Sequence, residues 1–295
     1  MFLENRRGVQ RNERILISVI SLCAVIVFAM LAVQVSGADS KEGEKKYIKW
    51  VEFDVCYSAL QKALDEDIAT HNQKDPIPWT ETLAYLGAKY GGDFSRYKPK
   101  DMDAYFTKRR EGQTQADITA DMEYYNYYYK AYSAVLGGLV GSYAVELEDE
   151  NGNKEIKQSY GLKAFSPIAQ GYSYSHYEDF GNSRSYGFKR KHLGNDLLGS
   201  IGTPITAVES GIVECIGWNQ YGGWRIGIRS FDKKGYYYYA HLRKDHPYAA
   251  GLQEGQVVTA GDVIGYLGMT GYSTQENVNG MNVPHLHFGL QLIFD

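Results

Sequence analysis

The sequence predicts an α+β protein in which an N-terminal transmembrane helix precedes a small helical domain and a mainly antiparallel β domain. Residues 15–35 carry no charged side chain, residues 47–143 show helical periodicity, and the chain beyond them breaks into short β-prone runs separated by glycine. The predicted order is a cytoplasmic N-terminus at 1–14, the span at 15–36, a linker at 37–46, the helical domain at 47–143, a connecting segment at 144–179 and the β domain at 180–295.

Size and charge limit the classes of function. The 295 residues, 44% of them hydrophobic and 22% charged, suffice for two packed domains. The formal net charge is -4, which leaves no basic excess to neutralise a phosphate backbone. No nucleic acid is therefore expected as a partner.

The apolar run is long enough to cross a lipid bilayer, because a hydrocarbon core near 30 Å thick requires about 20 helical residues. Its N-terminal flank carries Arg6, Arg7, Arg11 and Arg14. The positive-inside rule then places the N-terminus in the cytoplasm and the chain after Ser36 outside. A cleaved signal peptide, which would make the protein secreted, is the alternative. A retained single-pass anchor in the cell membrane is favoured, since the apolar part of a signal peptide usually has only about 7–15 residues.

Four helices are predicted in the helical domain. The first begins at Asp54 as its N-cap and fades before Pro76, and the second ends at Gly91. The third covers residues 101–110. The fourth has a predicted inward face of Tyr124, Tyr128, Ala131, Tyr132 and Val135. The tyrosines of this helix suit a surface for stacking sugars, but alternate rings packed into a helical core are the simpler interpretation.

Six strands are predicted in the β domain from β-prone runs between turn residues. They are residues 205–208, 212–216, 224–230, 236–241, 263–267 and 285–292. Cys215 lies in the second strand, so we expect Cys215 and Cys56 to be free thiols rather than a disulfide. No cysteine has a metal-ligand spacing, so a metal must be held by histidine and carboxylate.

Four histidines fall in short patterns of the β domain, namely His192-Leu-Gly-Asn-Asp196, Tyr-Ala-His241-Leu and His285-Leu-His287-Phe. Residues i and i+2 of a strand project from one face, so His285 and His287 should lie side by side. Gly194 would allow a tight bend that brings His192 and Asp196 together. Two imidazoles, one carboxylate and a water would form a tetrahedral zinc site with an open position, and the remaining imidazoles would be free to transfer protons.

Other hydrolase classes lack their motifs. The sequence has no His-Glu-x-x-His, which excludes a helix-borne zinc peptidase site, and no Gly-x-Ser-x-Gly to support a serine hydrolase. His176 and His246 lie outside the three patterns, and we expect both to be ordinary exposed or partly packed histidines.

The order of the three patterns, from about residue 180 to 292, resembles the M23 family of zinc metallopeptidases, the lysostaphin- and LytM-type peptidoglycan endopeptidases. Flanking sequence such as Gly202-Thr-Pro-Ile205 and Gly261-Asp-Val-Ile264 shares the resemblance. The resemblance implies a lysostaphin-type fold with one Zn²⁺ per chain. It implies the metal ligands His192, Asp196 and His287 and the catalytic residues His241 and His285. The chain departs from the family at residues 275–283, which are longer than usual and expected to form a loop at the rim of the cleft.

The resemblance and the predicted export together favour a membrane-anchored endopeptidase that hydrolyses peptide bonds in peptidoglycan cross-links or stems. One alternative is an M23-type assembly protein of sporulation or division, whose main role is to bind an extracytoplasmic protein partner. Another is a cell-wall-binding module that uses the tyrosines.

Overall fold

The structure is a computed structural model that describes residues 53–148 and 154–293. The chain divides into two compact units, the first ending at Leu162 and the second beginning at Lys163. The predicted N-terminus, span and linker, residues 1–46, lie outside the described residues. Within the described ranges, no helix combines the length and the apolar character that a membrane span needs.

The helices of the first unit follow the predicted periodicity. They are α1 (Tyr57–Thr70), α2 (Trp79–Tyr90), α3 (Pro99–Arg110), α4 (Gln115–Thr119) and α5 (Tyr125–Leu136), with a 3-10 turn at Phe94–Arg96. The predicted stop of α2 is confirmed, because Gly91 adopts a left-handed φ of 67° there. The predicted Asp54 cap is wrong: Cys56 is the N-cap of α1 and makes no side-chain capping bond. The short α4 was not predicted, although Thr114 and Asp117 form a capping box at its start.

The tyrosines of α5 pack as the simpler interpretation expects. Tyr125 and Tyr132 are buried, whereas Tyr127 and Tyr129 are exposed. The predicted inward face is wrong at one position, because Tyr124 is exposed at the helix start and Tyr125 takes its place in the core.

A hairpin belongs to the first unit and was not predicted. Its strands are β1 (Val140–Glu148) and β2 (Lys154–Leu162), paired antiparallel. The buried carboxylate of Asp67 in α1 accepts hydrogen bonds from the Tyr160 hydroxyl at 2.8 Å and from the backbone N–H of Trp79 at 2.8 Å. The hairpin is thereby fastened to the helices, so the segment expected as a connection, residues 144–179, is shared between the two units.

The second unit is built on a seven-stranded antiparallel sheet. Its strands are β3 (Ser175–Tyr177), β6 (Asn195–Leu198), β8 (Gly211–Asn219), β9 (Gly223–Ser230), β10 (Gly235–Ala240), β11 (Val257–Val258) and β13 (His285–Leu292). They lie in the order β11-β8-β9-β10-β13-β6-β3. Two smaller antiparallel pairs join β7 (Pro204–Thr206) to β12 (Val263–Tyr266) and β4 (Ser183–Arg184) to β5 (Arg190–Lys191).

Strand alternation separates the core of this unit from its site. Tyr237 and Tyr239 of β10 and Leu286 of β13 are buried in the hydrophobic core with Val213 and Ile228. The intervening residues of β10 and β13 point to the opposite face. That face carries the histidines described below.

The predicted strands of the β domain are all present with small changes at their ends. The largest functional difference concerns the strand predicted at 236–241, which ends at Ala240. His241 has a φ of 60° and cannot continue an extended strand. Cys56 and Cys215 are free cysteines in the structure.

Candidate metal centre

His285 and His287 lie two residues apart on β13, as predicted, and both project from the face opposite the core. His285 is 6% exposed and His287 is half-buried. The neighbouring strand β6 pairs Asp196 directly opposite His287. Residues in register across antiparallel strands have Cβ atoms about 5 Å apart, so the pairing places this carboxylate beside the imidazole.

His192 reaches the same point from the segment between β5 and β6. Gly194 is required there for a reason that differs from the predicted bend. A Cβ atom at Gly194 would lie 2.6 Å from Nε2 and Cε1 of His287 and 2.8 Å from the carbonyl oxygen of Phe288. The glycine therefore makes room for His287, and its φ is not in the left-handed region.

The three predicted ligands converge on one point. His192 Nε2 lies 3.1 Å from Asp196 Oδ1 and 2.8 Å from His287 Nδ1. His287 Nδ1 lies 3.0 Å from Asp196 Oδ1. Ligand atoms at about 2.0–2.1 Å from a tetrahedral Zn²⁺ lie about 3.3 Å apart. The two nitrogens and one oxygen therefore fit a shared zinc ion after a small expansion.

The charges of this group favour a bound cation. Burial opposes ionisation of Asp196, but hydrogen bonds from His192 and His287 outweigh it and hold the pKa of this carboxyl well below its usual range. Burial would lower the pKa of His192, but the hydrogen bond and charge of Asp196 raise it above its usual value. The group thus combines an ionised carboxylate with two imidazole nitrogens, which are donor types that bind Zn²⁺ in proteins.

His241 joins the site through its unusual backbone. In regular alternation after Tyr237 and Tyr239, its side chain would enter the core. The left-handed φ of 60° breaks the alternation, and the His241 ring lies 4.7 Å from the His285 ring and 6.0 Å from the His287 ring, centroid to centroid. A non-glycine residue held in this conformation is a common sign of a functional site.

Backbone carbonyls orient the two histidines outside the ligand group. His241 Nδ1 donates to the carbonyl oxygen of Thr270 at 2.7 Å, and His285 Nδ1 donates to that of Val283 at 2.8 Å. Each ring is therefore held with Nδ1–H outward and the Nε2 lone pair toward the cleft. Burial, together with the neighbouring His285 and His287, lowers the pKa of His241 to about 3, so this ring is neutral at physiological pH.

Aromatic side chains and a guanidinium line one wall of the cleft. The Tyr272 ring meets the His241 ring edge-on at 5.9 Å, and Tyr186 stacks on Tyr272 at 4.8 Å. The Arg190 guanidinium lies over the Tyr272 ring at 5.6 Å. These residues were not singled out from the sequence, because aromatic residues are frequent throughout this chain.

The rim segment expected at 275–283 is an ordered loop. The Asn277 side chain accepts a hydrogen bond from Trp224 Nε1 at 2.9 Å and another from the backbone N–H of Asp245 at 2.9 Å. It also donates to Asp245 Oδ1 at 2.6 Å.

The two histidines expected to lie outside the site do so. His176 is exposed and pairs through Nε2 with Asn195 Oδ1 at 2.9 Å. His246 is exposed in a turn, where its backbone N–H donates to the carbonyl of Lys244.

Comparison with known proteins finds a family match over the residues of this site. The profile of Peptidase family M23 matches residues 190–293. The chain is 41% identical over 124 residues to the L-Ala--D-Glu endopeptidase of Bacillus subtilis (strain 168), an alignment that covers 42% of this chain and 36% of that protein. It is 40% identical over 98 residues to lysostaphin of Staphylococcus simulans, covering 33% of this chain and 17% of lysostaphin. The chain thus spans well under two thirds of either relative.

A solved structure is also similar to part of this chain. The catalytic domain of the antimicrobial peptidase lysostaphin from Staphylococcus simulans is 35% identical, with a TM-score of 0.33, and the match covers 41% of this chain and 84% of that domain. The residues matched by the family profile include all three histidine patterns. The chain therefore carries a domain of peptidase family M23 at residues 190–293.

Proposed function

We propose that the chain is a membrane-anchored, zinc-dependent endopeptidase that hydrolyses peptide bonds in peptidoglycan cross-links or stems during cell-wall remodelling. The observation that carries the proposal is the convergence of His192, Asp196 and His287 on one point, with His241 and His285 beside them. The relatives named above as endopeptidases support hydrolysis, as does the presence of all five side chains. Nothing in the site favours the assembly-protein alternative over hydrolysis.

One zinc ion per chain would be held by His192 Nε2, Asp196 Oδ1 and His287 Nδ1, which are neutral imidazole and carboxylate donors of the kind that catalytic zinc uses. When bound, zinc lowers the pKa of a coordinated water and polarises a carbonyl group. The protein's contribution is to bring the three ligand atoms to within 2.8–3.1 Å of one another.

His241 and His285 would handle the protons of the reaction. Each is held by a backbone carbonyl at Nδ1, so Nε2 is free to accept a proton from the attacking water or to return one to the leaving amine. A protonated ring would also stabilise the developing oxyanion. Both rings lie beside the ligand group, and we assign neither the acid nor the base role to one of them.

The substrate would be a peptide lying along the wall formed by Tyr186, Tyr272 and Arg190. Aromatic faces suit apolar side chains and peptide planes, and a guanidinium suits a carboxylate. We place this site outside the cytoplasmic membrane, tethered by residues 15–36 with the N-terminus in the cytoplasm, on the strength of the apolar run and the arginines before it. Cleavage of that segment would release the same enzyme.

Digestion of purified sacculi tests the proposed activity. The chain is incubated with sacculi alone, with a chelator, and with the chelator followed by Zn²⁺, and the released fragments are identified by mass spectrometry. New amine termini that disappear on chelation and return with Zn²⁺ are expected. The residues at these new termini identify the peptide bond that is cleaved.

The surface variant His246→Ala is the matched control, because it also removes an imidazole but lies outside the cleft. It should cleave like the wild-type chain. A folded wild-type chain that binds zinc but releases no fragment from any sacculus would refute the endopeptidase proposal.

A further inference from the structure

Asp179 is a buried carboxylate next to the ligand group that none of the sequence patterns includes. It is 5% exposed, and its Oδ1 lies 2.8 Å from Nδ1 of His192. Neither atom has another hydrogen-bond partner among the described residues. An isolated buried carboxylate is costly, so this one requires a compensating interaction.

Arg184 supplies part of that compensation. Its guanidinium forms a short ion pair with Oδ2 of Asp179, and Nη2 lies 3.7 Å from Oδ2 of Asp196. The hairpin of β4 and β5 brings Arg184 to this position. Arg184 thus lies beside Oδ2 of both carboxylates. Oδ1 of Asp179 faces His192, and Oδ1 of Asp196 faces the other two ligand atoms.

The two ring nitrogens of His192 consequently face different surroundings. Nε2 points to the ligand group, whereas Nδ1 points to a carboxylate that can only accept a proton. A carboxylate at Nδ1 retains the proton there and leaves a lone pair on Nε2 for a metal. The 2.8 Å separation is that of a charge-assisted hydrogen bond, although the N–H is not aligned with the oxygen, so a small rotation of the ring would complete the bond.

We propose that Asp179 is a positioning residue for the metal centre, which fixes the tautomer and direction of His192 so that Nε2 binds zinc. The inference rests on the proposed zinc site and adds to it an outer residue, itself held by Arg184. His241 and His285 have backbone carbonyls at the same ring position, whereas His192 has the Asp179 carboxylate there.

Zinc affinity of the full chain tests this role. The wild-type chain, Asp179→Asn and Asp179→Ala are titrated with Zn²⁺ against a chromophoric chelator, and the fold of each metal-free protein is checked by circular dichroism. Removal of an outer-sphere partner typically weakens metal binding about 10- to 100-fold. We expect that loss for Asp179→Ala and a smaller one for Asp179→Asn, which keeps an uncharged acceptor.

Asp262→Asn is the matched control. Asp262 is in the same unit and accepts a hydrogen bond from the backbone N–H of Thr259 at 2.9 Å, away from the cleft. Its substitution should leave zinc affinity within about twofold of the wild type. A folded Asp179→Ala chain with wild-type affinity, or an equal loss in Asp262→Asn, would overturn the inference. If the wild-type chain itself binds no zinc, the proposed function fails as well.

A spectroscopic test needs no variant. In the zinc-loaded wild-type chain labelled with ¹⁵N-histidine, His192 should show a slowly exchanging proton on Nδ1 and none on Nε2. An Nδ1 proton that exchanges as fast as that of an exposed imidazole would contradict the assigned contact with Asp179.

Discussion

The backbone conformation of His241 determines that its ring lies beside His285 in the candidate site. The residue lies directly after β10, and its N–H donates to the carbonyl of Gly222 at 2.7 Å. Its φ of 60° turns the ring away from the core, to which alternation would direct it. The strain of this conformation, about 1–2 kcal/mol, is offset by the hydrogen bonds that hold the ring and backbone in place.

Thr270 is the residue on which the position of His241 most depends. It is fully buried, and its hydroxyl donates to the carbonyl of Leu242 at 2.6 Å and accepts from the N–H of Trp224 at 3.1 Å. Thr270→Val should lower the free energy of unfolding by about 1–3 kcal/mol, because these backbone groups lose their partner. Displacement of the Thr270 carbonyl should also lower kcat on the order of tenfold to a hundredfold with zinc still bound.

Thr206→Val is the matched control for that experiment. Thr206 is also a buried threonine of this unit, and its hydroxyl donates to the carbonyl of Ser166. The Thr206→Val variant should lose stability but keep the wild-type kcat when it and Thr270→Val are assayed well below their melting temperatures. A Thr270→Val enzyme with wild-type kcat would show that Thr270 does not position His241.

Glu209 gives the second unit a pH dependence that is independent of the metal centre. Burial raises the pKa of this carboxyl, against the hydrogen bond that its Oε2 accepts from the Tyr237 hydroxyl at 2.6 Å. The folded chain therefore holds the Glu209 proton more tightly than the unfolded chain. Stability from this group is fully present below the unfolded pKa, near 4.3, and is lost as pH rises through the raised folded value.

The variant Glu209→Gln should not lose stability as pH rises through the raised pKa of Glu209, because an amide does not ionise. Thermal unfolding of both chains from pH 4 to pH 8 should show a Tm difference in favour of the variant that grows with pH and then levels off. A difference that stays constant or shrinks as pH rises would mean that Glu209 is not disfavoured as a carboxylate in the folded protein.

Among the elements, the pairing of β13 with β6 does most to assemble the metal centre. Its register sets Asp196 against His287, and a shift by one residue would move the histidines to the core face. The alternation of β13 was predictable from His285-Leu-His287-Phe alone. β6 was not predicted, because its four residues begin with Asn-Asp and are too few to show the alternation that distinguishes a strand from a loop.

The rim loop is a second element, and it is held by backbone hydrogen bonds at Val278 and Met281 and by the side chain of Asn277. The Asn277 side chain forms the loop's hydrogen bonds to Trp224 and Asp245. Asn277 also has a φ of 61°, a backbone conformation that asparagine tolerates better than alanine. Asn277→Ala should lower the free energy of unfolding by about 1–3 kcal/mol and speed proteolytic cleavage within residues 275–283.

The variant Asn277→Gly separates the cost of the lost hydrogen bonds from the cost of the left-handed backbone conformation. It loses the same hydrogen bonds but accepts the left-handed φ, so its stability should exceed that of Asn277→Ala by about 1 kcal/mol. Equal stability of the two variants would mean that the backbone conformation contributes nothing to the cost.

At the scale of the whole molecule, the sequence predicted a helical part followed by a β part, and the two units divide at Leu162, within the segment predicted as a connection. The hairpin of β1 and β2 belongs to the first unit because Tyr160 reaches Asp67, 93 residues earlier in the chain. Local patterns carry no information about such a contact. The five histidine and aspartate positions were predictable from short motifs and the family resemblance, whereas Asp179 and Thr270 act through contacts that only the fold creates.

In the proposed enzyme, three side chains hold zinc and two others act on the substrate. The zinc content of purified His287→Ala and His285→Ala chains tests it most directly. We expect His287→Ala to retain almost no zinc and His285→Ala about one ion per chain, with neither variant cleaving sacculi, because the proposal makes His287 a ligand and His285 a proton carrier. Equal zinc loss in both folded variants would contradict the division of the site into ligands and catalytic histidines.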